Sequence, residues 1–189
     1  MSSNLIYKLY SDNRTVYSLQ EIAMLIDEPE AQKLKQRLNY YVRTKKLKNP
    51  RRGIYAKESY AVEELACKVY KPSYISLEYV LQKSGVVFQY DTRITNISYL
   101  SRAITVDDNH FVYRKIKNDI LFNSKGVIMH DNGISMATPE RAFLDTLYLN
   151  KEYFFDTINN LDKERIFSIV PIFRSSQLEK RVQKLLKNA

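Results

Sequence analysis

The chain of 189 residues is poor in the groups that build stapled or reactive sites. Its single cysteine, Cys67, excludes an internal disulfide framework and any multi-thiolate metal centre. Two histidines, His110 and His130, leave little material for a zinc site or a chain of acid–base groups. Four isolated glycines exclude a glycine-rich phosphate loop. No apolar run approaches the roughly 18 residues of a membrane-spanning helix. The opening Met-Ser-Ser-Asn-Leu lacks the basic and apolar regions of a signal peptide. These absences predict a soluble protein of a reducing compartment, the cytoplasm, with no membrane association. An apolar content of 44% fits a globular chain and is too high for a disordered one. The length suits one compact domain or two small ones.

What the chain does have is positive charge in one place. It carries 30 basic and 21 acidic residues, a net charge of +9. Lys33, Lys35, Arg37, Arg43, Lys45, Lys46, Lys48, Arg51, Arg52 and Lys57 fall within 25 residues that hold no acid. The other 164 residues carry 20 basic and 21 acidic groups and are close to neutral. A neutral body with one strongly cationic segment points to a polyanionic partner more sharply than diffuse basicity would.

The local pattern around that segment is readable. Asn4 to Tyr10 reads as a first helix with Leu5, Ile6 and Leu9 inward. Ser18-Leu19-Gln20-Glu21 has capping-box spacing, and Leu19, Ile22, Ala23 and Ile26 continue it as a helix over 18–26. Pro29 and its flanking acids suit the first turn of a further helix running to about Lys45. On that helix Ala31, Leu34, Leu38, Tyr41 and Val42 share an apolar face. Lys33, Gln36, Arg37, Tyr40, Arg43 and Thr44 lie nearly opposite, with the donors that read base edges and phosphates. Leu47-Lys48 and Ile54-Tyr55-Ala56 are strand candidates around the turn-rich Asn49-Pro50-Arg51-Arg52-Gly53. Helix, turn, helix and basic hairpin together predict a winged helix-turn-helix over 1–70. Its second helix would enter the major groove and its hairpin tip would lie over an adjacent backbone or minor groove. The candidate DNA-binding residues are Lys33, Gln36, Arg37, Tyr40, Arg43, Lys45, Lys46, Lys48, Arg51 and Arg52. The first five are expected to govern sequence preference, and Arg51 and Arg52 overall affinity. Tyr41 and Tyr55 are further phenols of this module, able to meet phosphate or stack on a base.

A connecting helix is predicted over 60–69, with Cys67 as a small packed residue. Near Tyr70-Lys71-Pro72 the helical pattern stops. Residues 71–189 then read as a second, mixed α+β domain: a helix over 73–83, a small and mainly antiparallel sheet, and C-terminal helices. The strands are 86–90, 96–100, 111–116 and 126–129, with turns at 107–109 and 131–133. Thr138 caps a helix opened by Pro139-Glu140 and running to Leu149. Two more helices cover 162–170 and 176–188. The fold class is therefore α+β.

Catalytic patterns are lacking. Asp107-Asp108, and Glu140 with Asp145, are the candidate carboxylate groupings for a nuclease metal. The first pair reads as a turn, and Glu140 and Arg141 as residues that fix a helix. No serine sits in a glycine-flanked elbow. His110 and His130 have no partner carboxylate at ligand spacing and read as ordinary polar packing. Tyr74, Tyr79, Tyr99 and Tyr113 read as half-buried core or interface residues. No catalytic residue, metal or cofactor is assigned. A nuclease using the C-terminal sheet is the least supported class.

The phrase Ala137-Thr138-Pro139-Glu140-Arg141-Ala142-Phe143-Leu144-Asp145, together with a winged helix ending in Arg52-Gly53-Ile54-Tyr55, resembles AbiEi-type antitoxins of bacterial abortive-infection systems. The resemblance covers nearly the whole chain. It implies a protein that binds double-stranded DNA at its own promoter and represses it. It further implies an antitoxin-like second domain that counters a nucleotidyltransferase-like toxin in a type IV arrangement, with no stable complex required. The alternative is a protein-interaction module that sequesters a partner toxin directly, its basic segment docking an acidic surface.

Overall fold

The computed structural model describes residues 3–187, and its fold is mixed α+β. Helix α1 spans Ser3–Ser11, strand β1 Val16–Ser18, and helices α2 and α3 Leu19–Ile26 and Ala31–Arg43. Strands β2 (Lys48–Arg51) and β3 (Ile54–Ala56) form a hairpin, and β1 adds antiparallel to β3 in a sheet of order β1-β3-β2. The start of α2 follows from chemistry already visible in the sequence. The Glu21 amide donates to Ser18 Oγ at 3.2 Å, and the Ser18 amide donates to the Glu21 carboxylate at 2.7 Å. Asp27 ends α2 in a left-handed conformation (φ 55°), and Glu28 still donates to the Ala23 carbonyl. Residues 28–30 are used by that turn, so α3 begins two residues after Pro29 rather than at it.

Two apolar cores meet at the three-stranded sheet. Leu5, Leu9, Tyr17, Ile22, Leu34, Leu38, Tyr41, Leu47 and Tyr55 form the smaller one under α1, α2 and α3. Val16, Ile54 and Ala56, their neighbours on the same strands, belong to the larger core. Side chains alternate faces along a strand, so each face of the sheet serves a different core.

The chain continues through α4 (Val62–Val69), β4 (Ser73–Ile75) and α5 (Glu78–Lys83). Strands β5 (Ile94–Ser98), β6 (Arg102–Val106) and β7 (Asn109–Lys115) follow, then the short α6 (Asn118–Leu121) and the hairpin β8 (Val127–Met129) and β9 (Ser135–Ala137). Strands β4 to β9 make one sheet of order β6-β7-β5-β4-β9-β8, with parallel pairing at β7-β5 and β4-β9 and antiparallel pairing elsewhere. Helix α7 (Pro139–Leu149) is buried from Glu140 to Leu147, and α5, α8 (Lys163–Ile169) and α9 (Ser176–Lys187) pack on it. Among the described residues no helix is long and apolar enough to cross a membrane.

Several elements differ from their sequence expectation. Ser73–Ile75 is the strand β4, not the start of a helix. Leu77, buried at φ 62°, turns the chain before α5 begins at Glu78. Val86–Tyr90 is not a strand: Asp156 and Thr157 donate to the Val86 carbonyl, and the Phe88 amide donates to the Asp156 carboxylate. A loop thus satisfies this segment's backbone. Strand β6 was not anticipated, and it pairs with all of Asn109–Tyr113.

Candidate nucleic-acid interface

Leu34, Leu38 and Tyr41 anchor α3 in the smaller core, which fixes the rotation of the helix. The opposite stripe, Lys33, Gln36, Arg37 and Tyr40, then borders a shallow hollow that Tyr41 also lines. Lys33, Gln36, Tyr40 and Arg43 are exposed, and the Arg43 guanidinium lies 5.8 Å from the Tyr40 ring centre. Arg37 is half-buried, with Nη1 donating to Glu28 Oε2 at 3.3 Å. Ala31, expected on the apolar face, is exposed at the first turn.

Past the helix, Lys45 adopts a left-handed conformation (φ 57°) and leads into the hairpin. Lys45, Lys46 and Lys48 are exposed. The Lys46 carbonyl accepts from the Tyr10 hydroxyl at 3.0 Å, and Lys48 Nζ lies 5.5 Å from the Tyr60 ring centre. The Asn49 amide donates to the carbonyls of Arg51 and Ile54, closing the hairpin across its tip. Gly53 at the tip has φ +80° with open space around it. Its backbone conformation, rather than crowding, is what favours glycine there.

The two adjacent arginines part company. Arg52 is exposed at the tip. Arg51 is half-buried and stacks on Tyr70, 4.9 Å from the ring centre, while its Nη2 donates to the Tyr70 hydroxyl at 3.3 Å. Tyr70 in turn meets Tyr113 edge-on, with ring centres 4.8 Å apart. Arg51 therefore ties the hairpin, through Tyr70, to Tyr113 of the second sheet, whereas Arg52 has no such contact among the described residues. Tyr41 and Tyr55 are buried in the smaller core.

Beside the hairpin runs a cleft of about 670 Å³. Val42, Lys45, Leu47, Lys48, Asn49 and Pro50 line one part of it, and Glu58, Asp107 and Asp108 supply its acidic groups. Asp107 and Asp108 are the turn of the β6–β7 hairpin, both left-handed, and Asp107 accepts from the Tyr60 hydroxyl at 2.8 Å. Burial, with this hydrogen bond adding to it, pushes the Tyr60 phenol above its ordinary range.

Behind the surface, Glu21 couples α2 to α4. Lys68 Nζ donates to both of its carboxylate oxygens at 2.7 and 2.8 Å, and Lys71 approaches at 3.3 Å. Burial alone would raise the Glu21 carboxyl. The Lys68 and Ser18 hydrogen bonds, with the charges of both lysines, outweigh it and hold the group at about 2.

Within the Thr138–Asp145 phrase, Arg141 and Asp145 form a buried network. Arg141, fully buried, donates to Asp145 Oδ1, to the Tyr74 hydroxyl and to the carbonyls of Ile120, Asn123 and Lys125 at 2.8–3.2 Å. Asp145 accepts from Tyr74 and Ser76 as well. Gly126 must be glycine beside it, because a Cβ there would stand 2.8 Å from Arg141 Cβ. Glu140 accepts from the Asp162 amide through one oxygen. Cys67 is buried, and burial pushes its thiol up to about 11. His110 and His130 are exposed at the surface rather than packed, with His110 Nδ1 2.9 Å from the Thr105 hydroxyl. Tyr74 and Tyr113 are buried, Tyr79 is half-buried and Tyr99 is exposed. No group of three or more His, Cys, Asp or Glu side chains is placed to hold a metal ion among the described residues.

Comparison of the chain with protein-family models and with curated proteins finds no match.

Proposed function

We propose that the chain is a double-stranded-DNA-binding transcriptional repressor whose α3 enters the major groove. The carrying observation is the outer stripe of α3. Leu34, Leu38 and Tyr41 hold the helix from behind, and Lys33, Gln36, Arg37, Tyr40 and Arg43 face outward from the same rod. That stripe combines guanidinium, ammonium, amide and phenol, the groups that pair with base edges and phosphates. The order α1-β1-α2-α3-β2-β3, with β1 added to the β2–β3 hairpin, supports reading residues 1–70 as a winged helix-turn-helix. Lys45, Lys46, Lys48 and Arg52 would then follow the phosphate backbone.

The test is fluorescence anisotropy with duplex DNA from upstream of the gene, at two ionic strengths. Tight binding at low salt should weaken steeply, about tenfold or more between 50 and 200 mM salt if several phosphates are neutralised. Absence of binding to any duplex at low salt rejects the proposal.

Regulation of its own promoter, and an antitoxin role against a nucleotidyltransferase-like toxin, follow from the resemblance of Ala137–Asp145. Co-expression with the product of a neighbouring nucleotidyltransferase-type gene tests the second role by growth rescue. A complex with that product that survives high salt would instead favour direct sequestration.

A further inference from the structure

The stripe on α3 treats its cations unequally. Lys33 and Arg43 have no ion pair among the described residues. Arg37 is held by Glu28, and the two side chains are only 29% and 15% exposed. Glu28 lies in the turn before α3, and its own amide is bound to the Ala23 carbonyl at 3.0 Å. A braced piece of backbone, not a second long mobile side chain on the same helix, thus holds the carboxylate in place.

A guanidinium has five N–H donors in one plane. Glu28 engages Nη1. The Nε and Nη2 donors carry no other bond among the described residues, and two parallel N–H groups match the O6 and N7 acceptors of guanine. An unrestrained arginine gives up rotamer freedom when it docks, whereas a braced one has already lost part of it. The carboxylate also offsets part of the arginine's charge, which weakens undirected attraction to phosphate and leaves directional pairing as the larger share of what Arg37 does.

Resting on the reading of α3 as the DNA-reading helix, the geometry points to Glu28 as a positioning residue that presets Arg37 to read a guanine in the major groove of the bound site.

The experiment selects binding sites from a pool of duplexes with a randomised core, using the wild-type chain, Glu28→Ala, Glu28→Gln and Arg37→Ala, each checked by thermal unfolding. The wild type should enrich a site with a strongly preferred guanine. Arg37→Ala should lose discrimination at that one position by about tenfold or more. Glu28→Ala should weaken the same preference several-fold and leave the preferences at the other positions unchanged, while the uncompensated Arg37 charge slightly steepens the salt dependence. Glu28→Gln keeps an oxygen acceptor for Nη1 and should recover part of the preference. Replacing that guanine by 7-deazaguanine, which lacks the N7 acceptor, should weaken the wild type and leave Arg37→Ala unaffected. If Glu28→Ala fails to fold, the nearly isosteric Glu28→Gln carries the comparison and should show a reduced preference at that position. Preferences that Glu28 variants leave intact, or lower equally at every position, overturn the positioning role while DNA binding stands. Binding without selection of any guanine overturns the guanine reading alone. No binding to any duplex overturns the DNA reading and this inference together.

Discussion

Arg51 lies over the ring of Tyr70, its guanidinium carbon 4.9 Å from the ring centre, while its neighbour Arg52 projects from the hairpin tip. One arginine braces the hairpin and the other faces solvent. Arg52→Ala should lower DNA affinity for all sequences alike and reduce the salt slope by about one. Arg51→Ala should instead lower the unfolding temperature, since a half-buried cation–π contact is worth about 0.5–2 kcal/mol. Equal effects of the two substitutions on both measurements would contradict this division.

Arg141 is the most consequential buried side chain. Arg141→Ala leaves Asp145 buried without its cation and takes the guanidinium from the carbonyls of Asn123 and Lys125, and breaking such a pair costs about 3–5 kcal/mol. Urea unfolding should show that loss. Arg141→Lys should recover little, because an ammonium cannot span five acceptors in one plane. A loss below about 1 kcal/mol for the alanine variant would remove the network from the account of stability.

Acid should unlock α2 from α4. The Glu21 carboxyl is held at about 2, against 4.5 when unperturbed. A depressed carboxyl contributes stability that is fully present above the unfolded value and lost as pH falls through the folded one. The loss therefore runs from about pH 4.5 down to pH 2, with an upper bound of about 3 kcal/mol for this group. Glu21→Gln should flatten that part of the stability curve and lower stability at neutral pH.

The acidic turn should oppose the proposed partner. Asp107 and Asp108 share a cleft with Lys45 and Lys48. Asp107→Asn combined with Asp108→Asn should raise DNA affinity about two- to fivefold at low salt, an effect that disappears as salt screens charges across the cleft. Unchanged affinity at low salt would show that duplex DNA does not pass this side of the hairpin.

Local chemistry was legible in the sequence, and distant partnership was not. Ser18 with Glu21 and Thr138 with its following proline marked helix starts because capping is settled within four residues. The spacing of Leu34, Leu38 and Tyr41 fixed which side of α3 faces outward. Arg51 and Arg52 are chemically alike and adjacent, and only the fold, by bringing Tyr70 under one of them, separates their tasks. Glu28 read as a first-turn acid, and its pairing with Arg37 depends on how the turn folds back. Val86–Tyr90 had the composition of a strand, but the neighbouring backbone it meets is an irregular loop at Asp156 and Thr157. Strand β6 was hidden because Arg102 to Val106 forms an edge and exposes most of its length.

The sheet with a different core on each face has a mechanical consequence. Tyr17 and Tyr55 are seated on one side, and Val16, Ile54 and Ala56 on the other. Swivelling the basic end against the rest would pull apolar side chains out of close packing, so the molecule lacks a cheap hinge at this point. If the proposed duplex partner binds, a curved or mismatched target would be accommodated by distorting the duplex, and recognition would favour sequences soft enough to bend.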